Sequence, residues 1–584
     1  MLTHAKESVK KMKEELSYRN LFNIFLEHGS RTSLEFKTDG EIKEIAFNET
    51  EFPVKYAADN LIEMLNSCEK GFVGLKVDNC PEWPIIFWGI LMAGFKPFLI
   101  DYRHNEQLTE FLLKQTAAVA LISEDKDTNY EGVISVNAND VITLDRRKIY
   151  ELAKAGNVDG NHRERTYKYV WGDEVALCTS GTTSTAKIYT YNGNAIGSQV
   201  LTGLDVVEQN IRIASDKKTK NLAFLPFHHI FGFLAVYIWY SFFQSAIVFP
   251  EGKAPSLLLA TCREHNVTHI LAVPLLINNI VAGINRKLAK GSKFKRVMFK
   301  SMCGISLFAQ KISPEGGVRL AKKMFKKSVL DSLVGTSMEV IVSGGGHVLP
   351  STLKTINAIG YYTLCGFGMT EVGISSLNYE YSVKSRNTGC VGLPVKSIDY
   401  RVIPIDLNKP NVGELQIRGS SIHSGRMLEG KELPPDTDPD GWFATGDIGR
   451  LHKGALYIEG RLKEVIINES GENVYPDELE DFFMNMEGIN QYTIVGIQKE
   501  PNSPYESITL VMETSNDLND EEFKNKLIET VNSRNKQIGM ILKRVTNVLI
   551  TNEALPLANG IKVKRAEIKK QVESGKTNKY IKLK

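Results

Sequence analysis

The sequence predicts an α/β protein of more than one domain, on three observations. From 71 to 122, apolar strand-like runs alternate with helical patterns: G-F-V-G-L-K-V, then W-P-I-I-F-W-G-I-L-M-A-G-F, then K-P-F-L-I. This is the rhythm of parallel strands joined by helices. A similar unit recurs over 221–281, and again from 338 through V-I-V-S-G-G-G to Y-Y-T-L-C-G-F-G-M-T-E. After 389 the style changes to short strands and turns, Y-R-V-I-P-I-D, G-E-L-Q-I-R-G and A-L-Y-I-E-G-R, which read as a small antiparallel β region. A boundary follows at G-R-L-K-E, residues 460–464, beyond which about 120 residues suffice for a separate domain.

Composition narrows the function classes. Hydrophobic residues make up 42% and charged residues 24% of the 584, the balance of a globular chain with a large core. Lys and Arg total 71 against 68 acids, a net charge of +3, so no global charge calls for nucleic acid. The cysteines at 68, 80, 178, 262, 303, 365 and 390 are odd in number and form no C-x-x-C pair. That argues against a disulfide framework or zinc cluster and for a cytoplasmic setting. The N-terminal stretch M-L-T-H-A-K-E-S-V-K-K-M-K-E-E-L has no apolar h-region and reads as a solvated helix, not a secretory signal. Residues 231–249, F-G-F-L-A-V-Y-I-W-Y-S-F-F-Q-S-A-I-V-F, carry no charge over a length that spans a bilayer. Ser241, Gln244 and Ser245 interrupt the run, so the expectation is a buried helix followed by a strand at 246–249 that stops at Pro250.

The segment A-L-C-T-S-G-T-T-S-T-A-K, 176–187, holds six hydroxyl residues, a glycine and a lysine at the end of an apolar run. Backbone N–H groups, hydroxyls and one ammonium suit a polyphosphate; a flexible surface loop has the same composition. It is not a Walker loop, because Lys187 lies between Ala186 and Ile188 and lacks the flanking Gly and Ser/Thr.

Further segments supply a context: L-P-F-H-H-I-F-G (225–232), S-G-G-G (343–346), G-F-G-M-T-E (366–371), G-W-F-A-T-G-D (441–447) and G-R-L-K-E-V-I-I-N-E-S-G-E-N-V-Y-P-D-E-L-E (460–480). Their order and spacing resemble the adenylate-forming family of acyl-CoA synthetases, luciferases and peptide-synthetase adenylation domains, over nearly the whole chain. The resemblance implies a large N-terminal AMP-binding domain over 1–460, built of α/β subdomains plus the small β region. It implies a hinge at 461–463 and a small mobile α+β C-terminal domain over 464–584. It also implies an acid–thiol ligase reaction in two steps. A carboxylate attacks the α-phosphate of ATP, giving acyl-adenylate and pyrophosphate, and a thiol, coenzyme A or the arm of an acyl carrier protein, then displaces AMP.

By this resemblance Thr179, Ser180, Gly181, Thr182, Thr183 and Lys187 wrap the β- and γ-phosphates. Thr370 donates to the α-phosphate and Glu371 holds Mg²⁺. Phe367, with Gly368 beside it, lies against adenine, and Gly344, Gly345 and Gly346 let backbone approach the base. Asp447 accepts from the ribose hydroxyls, Arg461 lies beside it, and His229 lines the carboxylate pocket. Lys562, in L-P-L-A-N-G-I-K-V-K-R, matches the mobile lysine that bridges carboxylate and α-phosphate, with Lys564 and Arg565 as alternatives. Lys463 matches the hinge, and Gly471 the loop lining the thiol's tunnel. Two positions depart from the family: Ser184 stands where the phosphate loop has a second glycine, and Ile561 where glycine precedes the lysine. These departures leave a catalytically weak acyl- or nucleotide-binding paralogue as an alternative.

The helix after L-P-F-H-H reads F-G-F-L-A-V-Y-I-W-Y, without the aspartate that amino-acid-activating relatives use, so an apolar acid is expected. H-I-L-A-V-P-L-L-I-N-N-I-V (269–281) resembles long-chain acyl-CoA synthetases and adds a second apolar wall, which points to a medium- to long-chain fatty acid. Residues 284–327 hold thirteen Lys/Arg and one acid, Glu315. Phe294, Val297, Met298, Met302, Ile305 and Phe308 recur there at near-helical spacing. The pattern suits peripheral contact with an anionic membrane at its inner face, or a solvated hairpin packed on the main domain.

Overall fold

The structure, a computed structural model, describes residues 2–124, 129–156, 166–179, 186–214, 219–327, 329–406, 409–468, 473–484, 486–498, 505–538, 543–558, 562–574 and 579–583. The chain divides into two compact units, Met1–Tyr400 with Ile417–Phe443, and Arg401–Gln416 with Ala444–Lys584. The strands of the small β region are thereby shared out mainly to the second unit.

In the first unit the alternating runs become two sheets. One has eight strands in the order Lys431–Leu433, Gly425–Leu428, Ile188–Asn192, Glu174–Cys178, Lys96–Leu99, Phe72–Lys76, Ala120–Ser123, Ile134–Asn137. Its last five are parallel. Phe72–Lys76 and Glu174–Cys178 are buried at every position, the burial that helices on both faces impose on central parallel strands. The other sheet has nine strands; Tyr362–Met369, Val340–Ser343, His269–Ala272, Lys220–Leu222, Ala246–Phe249 and Thr32–Thr38 form its parallel centre.

The uncharged stretch at 231–249 folds inside this unit. Phe231–Trp239 is a π-helix, continued by Tyr240–Phe242, and Ala246–Phe249 is a buried strand. Tyr237 is locked in an aromatic core, its hydroxyl accepting from Trp88 Nε1 at 2.6 Å, while Phe233 meets Phe87 edge-on at 5.2 Å. No described helix is long and apolar enough to cross a membrane.

Two expectations need correction. Helix Leu2–Glu14 forms but is not solvated all round: Val9 and Met12, one turn apart, are buried and give it an inward face. In helix Lys293–Ile312, Met302 does not share the face of Phe294 and Phe308. It packs inward with Phe299 and Cys303 against the core, because at about 100° per residue it lies roughly 80° to 120° from them around the helix.

The second unit takes most of the residues of a four-stranded sheet in the order Ile398–Pro404, Val412–Gly419, Phe443–His452, Ala455–Arg461. A second sheet runs Gln491–Gln498, Glu506–Glu513, Asn547–Thr551, Ile581–Leu583. Within it Glu506–Glu513 and Asn547–Thr551 are parallel, joined through helix Glu521–Lys536.

Candidate active site

Thr179 and Lys187 close the neck of a hairpin. Glu174–Cys178 and Ile188–Asn192 pair antiparallel, ending at Cys178 with Ile188. Thr179 N donates to Lys187 O at 2.9 Å, and Lys187 N donates to Thr179 Oγ1 at 3.0 Å. The tip residues Ser180, Gly181, Thr182 and Thr183, with Ser184, lie outside the described residues.

Thr370 and Glu371 follow directly on strand Tyr362–Met369 and are held by backbone carbonyls. The Tyr191 hydroxyl, on the strand after the hairpin, donates to Thr370 O at 2.9 Å. Glu371 O accepts from His423 N at 3.1 Å and from His423 Nδ1 at 2.6 Å. His423 Nε2 in turn lies 3.1 Å from Asp436 Oδ1, and Lys187 Nζ lies 3.6 Å from Asp436 Oδ2. Burial alone would raise the Asp436 carboxyl, but His423, Lys187 and Arg426 outweigh it and hold it at about 2. One chain of contacts thus joins the hairpin neck to the Thr370–Glu371 corner.

Phe367 and Gly368 lie on the same strand, Phe367 O accepting from Ser375 Oγ at 3.0 Å. A Cβ at Gly368 would stand 2.3 Å from Gly373 O, so close passage of the two strands excludes a side chain. Gly344, Gly345 and Gly346 follow strand Val340–Ser343, with Gly345 at φ +76°. Against Gly344 stands Phe231, whose ring a Cβ there would meet at 2.9 Å.

His229 precedes Phe231, its ring edge-on to His228 at 4.4 Å. Burial, reinforced by His228, lowers His229 to about 3, leaving a neutral imidazole near neutral pH. His228 Nε2 lies 3.3 Å from Asp101 Oδ2, and the ligand atoms of Asp101, His228 and His229 lie within 4.8 Å of one another. Arg103 already engages both Asp101 oxygens, at 2.9 and 2.7 Å, so a guanidinium occupies the carboxylate that a cation would need. Against the effect of burial, His228 and Arg103 hold Asp101 well below the usual carboxylate range. Asp101, Thr179, Gly344 and Thr370 all follow the carboxyl ends of parallel strands, where open α/β sheets place ligands.

In the second unit Asp447 and Arg461 face each other across neighbouring strands, with Arg461 Nε 2.8 Å from Asp447 Oδ1. Lys463 lies in the 3-10 turn Leu462–Glu464. Arg565 is buried among Glu464, Asp477 and Glu480. That makes it a structural cation and removes it as an alternative to Lys562. Lys564 is half-buried and lies 3.7 Å from Glu567. Lys562 opens the short strand Lys562–Val563; its side chain, Gly471 and Ile561 lie outside the described residues.

Sequence reasoning missed Asp101, Arg103, Tyr191, His423 and Asp436. A lone histidine in S-S-I-H-S-G and an aspartate in P-P-D-T-D-P carry no local signal; their meaning comes from distant partners. An ammonium at Lys187, hydroxyls at Thr179 and Thr370 and a carboxylate at Glu371 fit a polyphosphate with a hard divalent ion. The Lys187 side chain is 59% exposed, so its ammonium is accessible to such a ligand.

The fold is that of adenylate-forming enzymes. Over 94% of this chain and 98% of its own, it is similar at TM-score 0.66 and 17% identity to o-succinylbenzoate CoA synthetase from Bacillus subtilis, solved with its acyl-adenylate intermediate. The model of the family of AMP-binding enzymes matches residues 26–425, and the chain belongs to that family. Among curated proteins it is 24% identical over 447 residues to a long-chain-fatty-acid–CoA ligase of Rattus norvegicus, covering 70% of this chain and 64% of the relative. It is 23% identical over 463 residues to the long-chain-fatty-acid–CoA ligase of Haemophilus influenzae, covering 73% and 74%. The chain thus spans just under two thirds of the length of the first of these relatives.

Proposed function

We propose that this chain activates a carboxylic acid with ATP, forming an acyl-adenylate and pyrophosphate, and then transfers the acyl group to the thiol of coenzyme A. The acid proposed is a medium- to long-chain fatty acid. The observation that carries the reading is the run of contacts from Lys187 through Asp436 and His423 to Glu371. It ties the hydroxyl-rich hairpin to the Thr370–Glu371 corner at the ends of parallel strands.

The difficulty in the first step is electrostatic: a carboxylate must approach a triphosphate of like charge. Catalysis therefore depends on neutralising charge and fixing an in-line geometry. Lys187 and Thr179, with the hairpin tip, are proposed for the β- and γ-phosphates, and Thr370 for the α-phosphate. Anchoring of the Thr370 and Glu371 carbonyls by Tyr191 and His423 preorganises those side chains, so little reorganisation accompanies the reaction. Mg²⁺, when bound, would be held by Glu371 and would offset phosphate charge. A neutral His229 can donate a hydrogen bond toward the acid without adding a competing cation. Phe367 and Gly344–Gly346 are proposed for adenine, Asp447 and Arg461 for ribose, Lys562 for the acid's carboxylate, Lys463 as pivot and Gly471 for the thiol's path.

The fatty-acid preference rests on the helix Phe231–Trp239, which carries no charged side chain, and on the two relatives named as long-chain ligases. All seven cysteines are free thiols, which suits the cytoplasmic setting proposed with it. The test is a hydroxamate-trapping screen over straight-chain, aromatic and amino acids, with pyrophosphate release measured with and without coenzyme A. The reading expects acid-dependent release that is greatest for fatty acids, with thioester formed on free coenzyme A. Thioester on an acyl carrier protein alone would move the acceptor assignment, and no acid-dependent release would end the reading.

A further inference from the structure

Helix Lys293–Ile312 presents an apolar face that nothing among the described residues of the first unit covers. Phe294, Val297, Met298, Ile305, Phe308 and Ile312 are 46% to 75% exposed. At 3.6 residues per turn these six fall within a stripe about 100° wide, running about 27 Å along the helix. The opposite face fixes the helix to the body. Phe299, Met302 and Cys303 pack on the core, Ser306 Oγ donates to Ala358 O at 2.6 Å, and Gln310 Nε2 donates to Asn357 O at 2.8 Å. The stripe is therefore held outward by packing, and its exposure is not the fraying of a loose end.

Charge identifies the occupant. Lys293, Lys300 and Lys311 project within about 20° of one another around the helix, along one edge of the stripe. These three, with Lys295 and Arg296, are exposed and have no carboxylate partner among the described residues. Lys322, by contrast, lies 3.5 Å from Glu339 and is excluded from the count. A convex helix with six projecting apolar side chains, edged by unpaired cations, is the pattern of a helix lying in the plane of an anionic bilayer surface. A second copy on the same face would set like charges against each other, since residues 284–327 hold thirteen basic residues and one acid.

We propose that helix Lys293–Ile312 docks this protein on anionic lipid surfaces, its apolar stripe entering the headgroup boundary and its lysines meeting lipid phosphates. This goes beyond the ligase reading and does not depend on it, because binding is measured without ATP or acid.

The test is co-sedimentation of the full chain with phosphatidylcholine vesicles containing or lacking phosphatidylglycerol, at low and high salt. The wild type should bind only the phosphatidylglycerol vesicles and release at high salt. K293E/K300E/K311E should weaken binding at least about 100-fold, and F294S/F308S/I312S at least about 30-fold. Both variants should keep the wild-type melting temperature and circular dichroism, since every altered side chain is exposed. Three results overturn the proposal: no binding by the wild type, equal binding to neutral vesicles, or variants that bind as the wild type does. A fourth is a concentration-dependent dimer dispersed by F294S/F308S/I312S with no vesicle binding, which would give the face to a second copy.

Discussion

Replacing Arg565 with methionine tests how the second unit is held together. The Arg565 side chain is 8% exposed and is surrounded by Glu464, Asp477 and Glu480, the last at 2.9 Å. Its Nε also donates to Thr493 Oγ1 at 3.2 Å. Burial works against the charge, but the three carboxylates outweigh it and hold the guanidinium firmly protonated. Arg565→Met keeps the volume and leaves three carboxylates facing one another without a cation. Breaking a buried pair in this way costs about 3–5 kcal/mol near neutral pH. In the variant, burial and mutual repulsion raise the carboxyl pKa values above those of the unfolded chain. Its folded state then binds more protons than its unfolded state, and the deficit narrows as pH falls toward about 4.5. All five tryptophans, at 83, 88, 171, 239 and 442, lie in the first unit, so fluorescence follows that unit alone. Hydrogen exchange across Gln491–Gln498 and Glu506–Glu513 follows the second. The expected result is accelerated exchange in those strands at neutral pH, partly restored in acid, with the tryptophan transition unchanged. Wild-type exchange at neutral pH, or a deficit indifferent to pH, would refute the reasoning.

Burial holds His28 and His229 at about 3 and His269 at about 4, below the ordinary value of about 6.5. Their unfolded forms take up protons first, so denaturant midpoints of the first unit should fall as pH drops from about 6.5 toward 4. The slope is up to about 1.4 kcal/mol per pH unit for each histidine, and His269→Gln should remove about a third of it; midpoints flat over that range would contradict it. Lys562→Ala should abolish pyrophosphate release with acid and ATP while sparing thioester formation from a supplied acyl-adenylate, and equal loss of both half-reactions would count against separate roles. Gly368→Ala forces a Cβ to 2.3 Å from Gly373 O and should cost about 2–4 kcal/mol, read as a lowered midpoint with loss of adenylate formation. Unchanged stability would show that the strand pair yields.

Much of the candidate site was legible because each motif is a short run whose chemistry is local. The ends of the hydroxyl-rich segment, Thr179 and Lys187, close on each other, and Gly344–Gly346 and Thr370 follow strands whose apolar runs announce them. The buried helix and strand at 231–249 were legible for the same reason, since Ser241, Gln244 and Ser245 mark the break. The exposed face of helix Lys293–Ile312 was only half legible. Periodicity shows that apolar residues recur, but Met302 turned inward while Phe294 turned outward, and nothing local separates them.

Order, periodicity and residue type by themselves determined the α/β alternation, the change to short antiparallel strands after residue 389 and the run of motifs that marks the family, because hydrophobic period and turn chemistry act over a few residues. Tertiary structure alone decided which partners those residues meet. Tyr189 reaches Asp436 across 247 positions, Tyr191 reaches Thr370 across 179, and Arg565 reaches Glu464 across 101. A charge or hydroxyl acquires its function from neighbours within a few ångströms, and in a chain of this length those neighbours are brought together by the packing of sheets and helices, which no short stretch of sequence encodes.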